Sequence, residues 1–372
     1  MKKLLLIFGF SIGTLLVTAQ SGPYMLIGTY TSNNDKSKGI YVYRFDTKTG
    51  QSSYVSEVQG NDPSYLVVSP DKKYVFAVNE LGGPKKPGEI AAYSFDKSLG
   101  KLSFISSQPS GGDHPCYVNI DKTGKWVIAG NYSGGSFSVL PFSDGILGKP
   151  VQTIQHTGSG PDASRQEKAH VHSTVFSPDE KYLFVPDLGI DKVMTYSFDS
   201  QSGTVKPAAE PFTPTAPGAG PRHFDFHPNG KFAYLVNEMK GMVSAYKYSA
   251  GTLRLLQTIG MLPKDFKGEI GSADIHVSPD GKFLYASNRG TSNTIVIYRI
   301  AKDGRLTLAG HESTKGKTPR NFNFDPTGKF LLVANQNSDD IVIFKRDLKT
   351  GLLADTGNRI NVGKPVCIKW ID

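Results

Sequence analysis

Short runs of Val, Ile, Leu, Phe and Tyr alternate with polar, Gly- and Pro-containing turns along the chain, and no long apolar stripe recurs at helical spacing. One such unit repeats. SPDKKYVFAVNE from Ser69 returns as DKTGKWVIAGNY from Asp121, SPDEKYLFVPDL from Ser177, HPNGKFAYLVNE from His227, SPDGKFLYASNRG from Ser278 and DPTGKFLLVANQ from Asp325. The shared lysines, Lys73, Lys125, Lys181, Lys231, Lys282 and Lys329, are 47 to 56 residues apart. Each copy has an apolar run, a tight turn and a second apolar run, which predicts a β-hairpin. A third run follows, ending in aromatic and acidic residues, at Tyr43, Tyr93, Ser138, Tyr196, Tyr246, Tyr298 and Phe344. Then come a glycine turn (Gly50, Gly100, Gly145, Gly203, Gly251, Gly304, Gly351) and a short fourth run.

The third run occurs seven times and the intact hairpin six. The missing hairpin is split between the ends: MLIGTYT from Met25 reads as an orphan second strand and KPVCIKWID from Lys364 as an orphan first strand. A period of this length marks a propeller, so the expectation is an all-β, seven-bladed β-propeller over residues 20–372, closed by pairing of its N- and C-terminal strands.

In a propeller the first strand of each blade lines the central channel, so the start of strand one and the end of strand two share a face where side chains from several blades can meet. Six residues before each turn proline, or its equivalent Lys122, stand Ser64, Cys116, His172, Arg222, Ala273 and Arg320. Seven beyond each shared lysine stand Glu80, Tyr132, Leu188, Glu238, Arg289 and Gln336, preceded by Asn79, Asn131, Asp187, Asn237, Asn288 and Asn335. The Asn series suits capping of backbone groups at strand ends. His172, Arg222, Glu238 and Arg289 are instead an acid, a base and two guanidiniums on one predicted funnel, a set suited to an anionic, carbonyl-bearing ligand. His170, His223, His276, Arg320, Glu80 and Tyr132 are the neighbouring candidates for substrate contact. For His170, His223, His276 and His114 a hydrogen-bonded structural role fits better than metal ligation, because no metal-type His/Cys spacing is present.

Composition narrows the class. The 42 basic and 33 acidic residues give a net +9, or +7 without Lys2 and Lys3, spread through turns rather than massed. That excludes a nucleic-acid footprint and leaves attraction of a small anionic substrate. No Gly-rich phosphate loop opens a helix, so no nucleotide cofactor is expected. Two cysteines, Cys116 and Cys367, are too few for a disulfide framework; an intervening blade should keep them apart, as buried free thiols, and neither shows a clear His partner for catalysis. Residues 1–19 read as a signal peptide, with Lys2 and Lys3 before the apolar Leu4–Val17 stretch and Ala19 at the cleavage point. The mature chain is expected in the periplasm or secreted, with no membrane contact after cleavage.

The segments GTYTS from Gly28, GIYVY from Gly39, HPCY from His114, GNYSGGS from Gly130, VHSTVFSPD from Val171, PDLGIDKV from Pro186, GPRHFDFHPNGKFAYLVNE from Gly220 and SADIHVSPDGKFLYASNRG from Ser272 together resemble the bacterial seven-bladed propeller lactonase family. That family includes 6-phosphogluconolactonase and is related to carboxymuconate cyclase. The resemblance covers nearly the whole mature chain. It implies a lactone hydrolase without cofactor or metal, and functional residues at His172, Arg222, Glu238 and Arg289, the same four that register selects. It also implies His172 or Glu238 as general base, with Arg222 and Arg289 holding an oxyanion or an acidic substituent. The export signal departs from the cytoplasmic setting of the sugar-phosphate activity and leaves phosphorylation of the lactone open. Two other classes stay in view: an exported propeller that binds carbohydrate or protein without catalysis, and a cycloisomerase acting on a carboxylated lactone.

Overall fold

A computed structural model describes residues 22–32 and 36–372; the predicted signal peptide lies outside them. Seven antiparallel sheets follow one another around a ring. Blade 1 takes its first strand, Pro365–Ile371, from the C-terminus and its second, Tyr24–Thr29, from the N-terminus. Their register runs from Tyr24 opposite Ile371 to Thr29 opposite Pro365, so the expected closure forms. The second strands Phe232–Asn237, Phe283–Asn288 and Phe330–Asn335 are buried at every position. Each is covered by strands on both sides and by adjacent blades on both faces, which is why these runs read as continuously apolar.

The repeat signals have physical causes. At the hairpin turn, the Ser or Asp that opens the motif accepts a hydrogen bond from the backbone five residues on: Tyr74 N to Ser69 Oγ at 2.9 Å, Phe283 N to Ser278 Oγ at 3.0 Å, Trp126 N to Asp121 Oδ1 at 2.8 Å and Phe330 N to Asp325 Oδ1 at 2.7 Å. Either side chain does the same work. The glycine after the third strand has positive φ in all seven blades. It also lies on an aromatic ring of the preceding blade: Gly100 on Tyr24, Gly145 on Tyr74, Gly203 on Trp126, Gly251 on Tyr182, Gly304 on Phe232, Gly351 on Phe283, and Gly50 on Phe330 across the closure. In every pair but Gly145–Tyr74, an added Cβ would come within 2.7 Å of the ring. Glycine and aromatic thus recur together because they lock neighbouring blades.

Three blades depart from the regular pattern, blade 2 by a first strand of only Leu66–Val68. In blade 3 the fourth strand is split into Ile146–Leu147 and Gln152–Gln155, and the gap falls opposite Pro141, which has no N–H to offer the outer edge. In blade 4 the first strand is reduced to Val175–Phe176 plus an isolated bridge between Val171 and Asp187, so the segment around His172 is held outside a regular ladder.

Candidate functional site

The face where first strands begin is built by one backbone device. Asp62, His114, Gly220, Thr318 and Lys364 all have positive φ, between 44° and 64°, and each precedes a proline; Pro115, Pro221, Pro319 and Pro365 open a first strand, and Pro63 stands shortly before Leu66–Val68. The ladder then slips at the next residue, as between Pro115 and Tyr117, Pro319 and Asn321, and Gly28 and Thr29 opposite Pro365 and Cys367. A bulge there re-aims one side chain. The residues so displaced are Cys116, Arg320 and Val366, with Arg222 in the equivalent slip of blade 5. Cys367 therefore stands one position deeper than Cys116; both are free and buried. Strand-two ends are fixed by one repeated bond, from the backbone N–H of Tyr30, Glu80, Tyr132, Leu188, Glu238, Arg289 and Gln336 to the carbonyl of the residue two places before each first-strand ring position. The Asn series before them is buried and bonds nearby backbone or side chains, as Asn131 does to Ser110 O and Ser136 Oγ.

A cavity of about 840 Å³ opens on this face, lined by Glu80, Cys116, Tyr132, Arg165, His172, Glu238, Arg289 and Arg320 and bounded at its mouth by Glu269, Lys317 and Asn337. Glu238 is its electrostatic centre. The Glu238 Oε1 accepts from Arg165 Nη2 at 2.7 Å, while Oε2 lies 3.1 Å from Arg289 Nη2 and 3.0 Å from Arg222 Nε. The Arg222 approach is not aligned as a hydrogen bond, so its attraction is charge on charge. Burial opposes the Glu238 charge, yet Arg289, then Arg222 and Arg165, hold its carboxyl down to about 2. Burial, followed by Arg222, His223 and Arg320, keeps His172 well below the usual imidazole range. Burial also lowers Arg289, to about 10.

His172, Glu238 and Arg289 meet in this cavity, and Arg222 touches Glu238 from beneath. Arg222 is 2% exposed and binds Ala273 O, so it is a buried floor residue beneath the funnel on which the sequence placed it. Glu80, Tyr132 and Arg320 line the cavity. His170, His223 and His276 do not. His170 stacks on Tyr132 at 4.5 Å and bonds Tyr132 O and Glu167. His223 borders a separate, water-sized cavity of about 10 Å³ below the floor, with Ser64, Arg222 and Arg320. Its Nδ1 lies 2.7 Å from Asp274, which also meets His276 at 3.1 Å further down the channel.

Two contributors escaped the sequence reading. Arg165 sits in the long connection between Gln152–Gln155 and Val175–Phe176, outside any repeat, so no ring count reaches it. Tyr30 is the seventh strand-two end, hidden because its hairpin is split between the termini; it donates to Glu80 at 2.8 Å, and Arg320 lies over its ring at 5.4 Å. Cys116, expected to lack a histidine partner, lies with its Sγ 3.7 Å from His172 Nδ1. Among the described residues no cluster of three or more His, Cys, Asp or Glu is placed to hold a metal ion.

The family described as Lactonase, 7-bladed beta-propeller matches residues 24–370. A putative 6-phosphogluconolactonase from Bacteroides fragilis superposes with a TM-score of 0.89 at 41% identity, over 95% of this chain and 99% of that one. The periplasmic gluconolactonase of Pseudomonas aeruginosa gives 0.89 at 39% identity, over 94% and 99%. A 6-phosphogluconolactonase from Bacillus subtilis is 37% identical over 349 residues, 93% of this chain and 97% of its own.

Proposed function

The chain belongs to the seven-bladed β-propeller lactonases, and on that footing we propose that it opens a sugar-derived lactone in the cavity around Glu238, Arg289 and His172. It is a lactone hydrolase; what is proposed is where and how it acts. The observation that carries the reading is a carboxylate held by three guanidiniums beside a neutral, cavity-facing imidazole. Ring opening needs a base for water and positive charge where the carbonyl oxygen becomes an oxyanion. Arg289 and Arg320 line the open cavity and supply that charge or hold an acidic substituent, Arg222 orients Glu238 from below, and the base is drawn from His172 and Glu238. Counted over the cavity lining, mouth and floor, five cationic side chains, Arg165, Arg222, Arg289, Lys317 and Arg320, outnumber the three carboxylates of Glu80, Glu238 and Glu269, which favours an anionic ligand.

Export fits this reading: the apolar leader after Lys2 and Lys3 supports it, and one similar structure is a periplasmic gluconolactonase. The test is a panel of plain and 6-phosphorylated aldonolactones, followed by acid release against the uncatalysed rate. Hydrolysis of at least one is expected. Inertness towards all of them would favour the non-catalytic binding module.

A further inference from the structure

The lactonase reading leaves two candidate bases, and the surroundings of one carry the choice further. Cys116 Sγ lies 3.6 Å from His172 O, 3.7 Å from Val171 O and 3.7 Å from His172 Nδ1. Both carbonyl oxygens can only accept, so the single thiol proton has two acceptors on the backbone. Burial, then Glu80, pushes the thiol up, so that proton stays on sulfur. With the S–H engaged by the backbone, the contact to the ring is satisfied when Nδ1 carries the hydrogen and sulfur accepts it. The hydrogen bond made by one ring nitrogen decides the protonation of the other.

We propose that Cys116 is a positioning residue that holds His172 in the Nδ1–H tautomer and leaves the Nε2 lone pair facing the cavity as the general base. His172 lines the cavity, and its Nε2 has no hydrogen-bond partner among the described residues. The groups around the ring are Tyr132, edge-on at 5.3 Å, His223, edge-on at 5.4 Å, the Cys116 thiol, and the charges of Arg222 and Arg320. None is an anion in contact, so the ring is neutral before reaction. Glu238, by contrast, is occupied on both oxygens by guanidiniums and makes a poor proton acceptor.

In the step that follows, Nε2 takes one proton from water as the water oxygen bonds to the lactone carbonyl carbon. The carbonyl π pair moves onto oxygen, facing Arg289. Collapse of the adduct breaks the ring C–O bond, and the Nε2 proton passes to the leaving alkoxide. The product is the open hydroxy acid, and His172 is neutral again.

The inference rests on the lactonase reading for its chemistry, but its test does not. Long-range ¹H–¹⁵N spectra of the ¹⁵N-histidine-labelled protein, with His172 assigned through His172→Gln, are expected to show a protonated Nδ1 and an unprotonated Nε2. An Nε2–H tautomer in the unsubstituted protein would overturn the proposal whatever the substrate panel shows. Cys116→Ala is expected to mix the tautomers and lower kcat/KM about tenfold, the order lost when the hydrogen-bond partner that fixes a metal-bound histidine is removed. Cys116→Ser, which keeps a donor and an acceptor there, should retain the larger part of the activity. A Cys116→Ala protein with unaltered tautomer and unaltered pH profile would also overturn it.

Discussion

Replacing Glu238 by Gln keeps the shape of the side chain and removes the charge that three arginines share. A carboxyl drawn from its ordinary 4.5 to about 2 in the fold corresponds to roughly 3 kcal/mol of stabilisation. This agrees with the ~3–5 kcal/mol that breaking a buried ion pair costs. Arg165, 44% exposed at its side chain, can turn to water, whereas Arg222 cannot, so the loss falls mainly on the floor of the site. Because the folded-state value is depressed, the contribution is fully present above 4.5 and is lost as pH falls towards 2. Urea unfolding followed by the fluorescence of Trp126 and Trp370 should therefore show Glu238→Gln less stable than the parent by about 3 kcal/mol at pH 7. The deficit should hold down to about pH 5 and shrink at pH 4. A variant as stable as the parent at neutral pH, or a deficit that grows on acidification, would refute the electrostatic account of the site.

Deleting Lys364–Asp372 removes the first strand of blade 1 and with it the buried Val366, Ile368 and Ile371, each worth about 1.5–3 kcal/mol. The loss rivals the whole stability of a typical domain, so the truncated chain should show no cooperative unfolding transition; a stable, folded truncation would rule out the closure. Arg222→Ala should lower stability by about 3 kcal/mol or more, whereas Arg320→Ala, at a partly exposed position, should cost about 1 kcal/mol or less. Urea midpoints of the two variants check the order, and equal losses would contradict the assignment of Arg222 to the floor.

The ring was legible because its markers are structural necessities repeated blade by blade: the Ser or Asp that caps the hairpin, the aromatic after the lysine, the glycine that fits against it. Those regularities also fixed the face, and so brought Glu238, Arg289 and His172 together across more than a hundred residues of sequence. What the repeat could not convey was depth. Counting places Arg222 and Arg289 on equal terms, but the bulge after Pro221 turns Arg222 beneath the floor while Arg289 stays at the cavity. The same blindness placed His223 and His276 at the substrate when both belong to the channel network of Asp274. Arg165 was invisible for a different reason, since a side chain that reaches the site from a non-repeating connection leaves no periodic trace.

The central claim is that catalysis belongs to this face and to these charges. It is tested most directly by kcat/KM on the best lactone of the panel for three proteins: the parent, Arg289→Ala, and Lys125→Ala in the cavity of about 460 Å³ formed at the hairpin turns of blades 2 and 3, on the opposite face. Loss of one group that stabilises an oxyanion costs about 10²–10³-fold. Arg289→Ala should fall by that order while remaining folded, and Lys125→Ala should match the parent. Full activity in folded Arg289→Ala, or a collapse of activity in Lys125→Ala, would contradict the account.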